Sequence, residues 1–222
     1  MAEPHTHELG AFSLGTPAHV CRWRLAGRSL LLANRHLRAF ARRIVNDKPV
    51  SPELVAWAKQ HIEWTLADGS HEHPDGVLML IIDDAGAAAM TVGPYLPLAH
   101  STARHLIGRA CSAAREQEQT DVAPEVLFVH TDGALYAAAA PDAGLGGCAN
   151  LVVQLASTLG IPVTFESDLL DDLMEGSLEA DGIFLASDEH GIVPASDCSN
   201  GVSERFAASY RRLFESARSK AR

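Results

Sequence analysis

An α+β fold is the class this sequence predicts, and three observations carry it. Two hairpin patterns, VLMLII with AAAMTV (77–92) and EVLFV with ALYAAA (125–139), stand in different halves of the chain. Helix-period segments lie before and after each of them. Between the halves, GPYLPL (93–98) has the proline content of an interdomain connector. The expected organisation is an N-terminal α+β domain over 1–92, a linker over 93–101 and a C-terminal α+β domain over 102–222.

Taken in order, the first ten residues are polar, carry His5 and His7, and read as a mobile arm. Residues 18–25 alternate as a strand, and Ala26-Gly27-Arg28 turns it. Residues 33–45 place Leu37, Phe40, Ala41 and Ile44 on one helical face, which Asp47 to Pro49 end. Ser51 followed by Pro52 opens the next helix, with Leu54, Val55, Ala58, Ile62 and Thr65 as its stripe. Beyond the first hairpin and the connector, a helix is expected at about 102–117. Thr131-Asp132-Gly133 is the turn of the second hairpin. PDAGLGG then feeds a helix that Gly160 ends. The strand IPVTFES, a short helix near 168–175 and the strands GIFLAS and GIVPAS follow. The final helix, 202–218, spaces Val202, Phe206, Tyr210 and Phe214 by four.

Composition narrows the function. Apolar residues at 47% and charged ones at 21% are ordinary for a globular protein, and 222 residues can bury a real core. A net charge of -10 argues against nucleic acid or an anionic membrane as partner. No apolar run reaches the roughly 20 residues of a membrane span. The start MAEPHTHELG lacks a basic segment followed by an apolar one, so no secretory signal is expected. Cys21, Cys111, Cys148 and Cys198 are widely spaced and read as free thiols in the cytoplasm.

Five blocks, in order, resemble one family. GRSLLLANRHLRAF is similar to its first-domain signature, a Gly-Arg turn leading into a helix, and VLMLIIDDAGAAAMTV to the strand pair that follows. DGALYAAAAPDAGLGG has the shape of the family's passage into its first phosphate loop. LVVQLASTLGIPV and ADGIFLASDEHGIVPASD track its next helix, strand and second phosphate loop. The family is the fold-type IV pyridoxal-phosphate (PLP) enzymes, the branched-chain aminotransferases and aminodeoxychorismate lyases. The resemblance implies two small α/β sub-domains of the D-amino acid aminotransferase-like architecture, a ligand cleft between them and a homodimer.

Carried over residue by residue, the cofactor anchors are missing. The only lysines are Lys48, Lys59 and Lys220, and Ser101 stands where the resemblance would place the Schiff-base lysine. The phosphate-binding arginine is expected three positions after His36, where Ala39 stands. Arg38, one step away, lies about 100° around the helix. The strand pair bearing the glutamate that faces the pyridine nitrogen is missing. Gly146-Gly147-Cys148-Ala149 replaces the first phosphate loop's Gly-Ile-Thr-Arg, and Asp188-Glu189 replaces the threonine of the second. An ionised Asp188 repels phosphate by several kcal/mol at close range, more than helix N-terminal amides offset. No cofactor is therefore expected, and any cleft ligand is expected to be neutral or cationic unless Arg38, Arg42 and Arg104 point inward and offset the acidic pair.

The remaining chemistry is sparser. His71-Glu72-His73 and His5/His7 lack a convergent third ligand, so no metal site is expected. His100 and His105 flank the lysine position and suit either acid–base work or a surface role at the helix start. Cys148, at a helix start, is a candidate low-pKa thiol or a small residue filling a tight turn. The candidate catalytic residues are His105, Asp188 and Glu189; the candidate ligand-binding residues are His36, Arg38, Gly146, Gly147, Cys148 and Ser187. These compose a PLP-independent lyase or isomerase acting on a small molecule in a biosynthetic pathway. A non-catalytic binding or regulatory subunit, and a true PLP-dependent aminotransferase or lyase, are the alternatives.

Overall fold

The computed structural model describes residues 14–220, so the arm that carries His5 and His7 lies outside the described residues. The first part of the chain forms β1 (Pro17–Ala26), β2 (Ser29–Leu30), α1 (Ala33–Ala41), a small hairpin of β3 (Ile44–Val45) and β4 (Lys48–Pro49), α2 (Pro52–Gly69), β5 (Val77–Asp83) and β6 (Ala88–Gly93). After the connector come α3 (Ala103–Thr120), β7 (Val122–Ala123), β8 (Glu125–Thr131), β9 (Ala134–Ala137), β10 (Gly144–Leu145) and α4 (Gly147–Leu159). The chain continues with β11 (Val163–Phe165), α5 (Leu169–Glu175), β12 (Gly182–Ser187), β13 (Gly191–Pro194) and α6 (Gly201–Lys220).

Two main sheets result. The first has strand order β2-β1-β5-β6, antiparallel throughout, and buries Trp23, Leu25, Leu78 and Leu80 against Phe40 of α1 and Ala58 and Ile62 of α2. The second has order β11-β9-β8-β12-β13, with one parallel pair, β11 on β9. Its central strands are buried on both faces, which is why GIFLAS reads as one continuous apolar run. Alternate residues Val126, Phe128, Phe184 and Ala186 pack on α4 and α6. Their neighbours Leu127, Val129, Ile183 and Leu185 pack on α3 and α5.

The longest departure from the expectation is at α1. The helix expected over 33–45 ends at Ala41, and Ile44 to Pro49 form the β3–β4 hairpin instead. Asn46 and Asp47 take left-handed backbone, φ 52 and 59, the conformation that a two-residue hairpin turn requires. Ile44 continues the apolar spacing of α1, but the Asn-Asp turn overrides it. The Ser51 cap of α2 is present: its hydroxyl oxygen accepts from the Leu54 N–H at 3.2 Å.

Candidate functional site

Four segments meet at a cleft of about 480 Å³. β1 supplies Val20 and Arg22, and α3 supplies Arg104, His105, Gly108, Arg109 and Ser112. The turn after β12, with the neighbouring start of β8, supplies Ser187, Asp188, Glu189 and Glu125. Residues 104, 105, 108, 109 and 112 form one helical face; the opposite face, with Leu106 and Ala110, is in the core. The polar wall is thus the outer stripe of an amphipathic helix.

Ser187 and Glu125 are cross-strand partners. The Ser187 hydroxyl donates to Glu125 Oε1 at 2.7 Å and accepts from the N–H groups of Glu189 and His190 at 3.2 and 3.0 Å. One hydroxyl therefore sets the shape of the 187–190 turn. Glu125 also receives both arms of Arg109, Nη2 at 2.6 Å and Nε at 3.0 Å. β1 is tied to the same turn, because the Arg24 N–H donates to the Asp188 carbonyl at 3.0 Å. The Arg24 guanidinium lies 3.4 Å from the centre of the Tyr95 ring, and Tyr95 approaches His190 Nδ1 at 3.4 Å.

Asp188 does not present a free charge to the cleft. It is 5% exposed, and its Oδ1 accepts the N–H of Cys148 at 2.8 Å. The N-cap of α4 is Gly146, which has no side chain to bond those amides, so Asp188 caps the helix from forty residues away. Oδ2 lies 3.4 Å from Nδ1 of His36, which is 2% exposed and stacked on Trp23 at 5.3 Å. This corrects the expectation that Asp188 repels anions across an open site: its carboxylate is already matched by a helix end.

The other sequence candidates separate. His105, Ser187, Asp188 and Glu189 line the cleft, while His36, Gly146, Gly147 and Cys148 lie behind Asp188. Arg38 faces a smaller cavity of about 200 Å³ with Arg35, Arg42 and Asn150. Cys148 is not an activated thiol. Burial, with Asp188 next, raises its pKa well above the ordinary value and outweighs the helix end. Arg22, Arg109 and Glu125 were not among the candidates, and Arg104 entered only as an arginine that could point inward. The polar stripe on α3 was the available signal for Arg109.

Two histidines beside this region are held neutral. Burial, with Arg109 second, lowers His190 from 6.5 to about 4. Burial and Arg43 lower His19, in β1, from 6.5 to about 3. The 4.0 Å approach of His19 to Glu116 is therefore a contact of a neutral ring, not an ion pair. Both folded pKa values lie below the unfolded one, so the unfolded chain binds more protons in that window. Their contribution is complete above pH 6.5 and is lost as pH falls through about 4 and then about 3. The melting temperature is expected to fall from pH 6.5 downward, with a shallower fall in His190→Gln. An equal slope in that variant would contradict the assignment.

No protein-family model and no curated protein matches the sequence. Solved structures do match. A hypothetical aminotransferase from Mycobacterium tuberculosis, in its apo form, is 17% identical, with 100% of this chain and 95% of that one covered and a TM-score of 0.59. The fold IV transaminase of Curtobacterium pusillum is 14% identical over 94% and 90% of the two chains, TM-score 0.55. The 4-amino-4-deoxychorismate lyase of Pseudomonas aeruginosa is 14% identical over 87% and 89%, TM-score 0.53. The chain has the class IV aminotransferase-like fold.

This corrects the expectation of no cofactor. The M. tuberculosis aminotransferase has also been solved in a PLP-bound form and with α-ketoglutarate and PMP, which points to PLP rather than to no cofactor for the class IV fold. The residues present do not fit PLP held as a lysine imine with its phosphate on α4. None of the three lysines lines the cleft: Lys48 is on β4, Lys59 on α2 and Lys220 at the end of α6, all exposed. At the start of α4, Asp188 and the His36 ring lie where a phosphate on that helix would sit; a Cβ on Gly147 would come 2.6 Å from His36 Nδ1. Among the described residues no group of three His, Cys, Asp or Glu could hold a metal ion, and no helix is long and apolar enough to cross a membrane.

Proposed function

We propose that this chain is a small-molecule binding protein on the class IV scaffold, and that its cleft takes an anion-bearing metabolite held by ion pairs. PLP and PMP, the ligands of a solved structure of the same fold, are the first to test. The observation that supports this is Arg104. Glu125 matches Arg109, Arg43 matches Glu116 at 3.0 Å, and α4 matches Asp188. Arg104 lines the cleft and makes no ion pair among the described residues. Arg22 adds a loosely held second cation, its Nε 4.0 Å from Glu189.

Glu189 supplies an acid–base group with a raised proton affinity inside the cleft. Burial raises its pKa above the ordinary carboxyl value, although Arg22 and Arg109 pull it down. A carboxyl shifted in that direction keeps its proton to higher pH, and its protonated form can donate a hydrogen bond to a ligand oxygen, which keeps acid–base chemistry within this reading. The homodimer that the resemblance implies and the cytoplasmic location read from the spaced cysteines belong to the same proposal.

Isothermal titration with PMP and PLP tests it. Arg104→Ala is expected to weaken binding about tenfold, the loss of one charge-assisted contact. Arg38→Ala, in the other cavity, is expected to leave it unchanged. Equal affinities for the wild type and Arg104→Ala would remove the basis of the proposal.

A further inference from the structure

We infer that Asp188 is a built-in anion that occupies the N-terminus of α4 and competes there with the phosphate or carboxylate end of any ligand. Three features converge on the spot. The first is the helix end itself: α4 has thirteen residues, its cap has no side chain, and the Cys148 N–H is bonded to the Asp188 carboxylate. Second, Gly146 and Gly147 leave the backbone bare. A Cβ on Gly146 would lie 2.8 Å from Asp188 Oδ2, and one on Gly147 would lie 2.6 Å from the His36 ring.

Third comes His36 itself. Its Nδ1 is buried and has no hydrogen-bond partner, although it lies 3.4 Å from Asp188 Oδ2. A buried ring nitrogen without a partner is costly. It is placed to serve an anion that sits slightly differently from the Asp188 carboxylate. A bare helix end, a bare backbone and an unserved ring nitrogen together form an anion cup, and the chain fills that cup with its own side chain.

The consequence concerns specificity. A ligand whose anionic end must reach α4 first has to displace a carboxylate anchored by its own backbone. Asp188 is fixed on both sides, its N–H donating to the Pro124 carbonyl at 3.1 Å and its carbonyl accepting from Arg24 at 3.0 Å. Displacement therefore requires rotation of the side chain alone, away from Cys148. Ligands whose anion ends at Arg104 avoid that cost. The inference does not rest on the identity of the cleft ligand, and its failure would leave the Arg104 test untouched.

Inorganic phosphate is the probe, with chloride at matched ionic strength as the reference. Asp188→Ser empties the cup and leaves a hydroxyl, and it is expected to bind phosphate at least about tenfold more tightly than the wild type. Asp188→Asn still fills the space and still accepts the Cys148 N–H, so it is expected to gain little. Adding His36→Leu to Asp188→Ser is expected to abolish the gain, which separates the cup from general surface binding. A folded Asp188→Ser that shows no phosphate-specific stabilisation would overturn the inference. Should that variant not fold, the Cys148 amide resonance of the wild type decides. It is expected not to move with phosphate, and a saturable shift would overturn the inference.

Discussion

Phe184→Ala is expected to destabilise the protein by about 3–5 kcal/mol, the usual range for removing a buried aromatic ring. Phe184 lies on β12 between two other rings, Phe128 at 5.3 Å and Phe206 at 5.4 Å, nearly parallel to both at 7° and 17°. All three are fully buried. The stack joins the middle of the five-stranded sheet to α6, so its loss leaves a cavity that neither side can close. Against a typical total of about 5–15 kcal/mol, that is a large fraction. Urea unfolding should show a lower midpoint with an unchanged slope. A loss below about 1 kcal/mol would mean that α6 does not pack on this face.

Gly191→Ala is the second large effect, expected at about 3 kcal/mol or more. Gly191 has φ 75, a left-handed backbone that alanine adopts only at a cost. Its added Cβ would also meet the Tyr210 ring at 2.2 Å, and Tyr210 is itself buried. Strain and overpacking therefore add at one position. Because Gly191 follows the turn that carries Ser187, Asp188 and Glu189, the variant should also weaken ligand binding in the cleft. Combined with Tyr210→Leu, the two losses should be less than additive, since the smaller side chain relieves the clash. Additive losses would show that the ring is not what alanine meets.

These two positions also show what was legible in the sequence. The run GIFLAS announces a strand buried on both faces, and the four-residue spacing from Val202 to Phe214 announces α6. The period of the apolar residues carries that information, and the core follows from it. Short elements are different. β3, β4, β7 and β10 have two residues each, too few for any period to register. For β3 and β4 the readable signal was Asn46-Asp47, a turn pair hidden by the helix-like placement of Ile44.

The site was legible in its location and much less so in its chemistry. The resemblance led to the turn after β12 and to the glycine turn before α4, and both lie at or behind the cleft. Asp188 was read as a repelling charge because its partners, the Cys148 N–H and His36, are brought to it only by the fold. Electrostatics read along a chain lacks the counter-charge. Glu125 and Arg109 were missed for the same reason: their bidentate pair links α3 to β8, and neither residue stands in a recognisable motif. At Cys148 the helix start suggested activation and the glycine turn suggested a small packed residue, and burial favours the second.

The most direct test of the ligand site is a crystal structure of the protein soaked with PMP. The expected result is PMP in the cleft, its phosphate against Arg104, with Asp188 still bonded to Cys148 and no lysine in contact. PMP seated instead among Arg35, Arg38 and Arg42, or with its phosphate on α4 in place of Asp188, would contradict that reading.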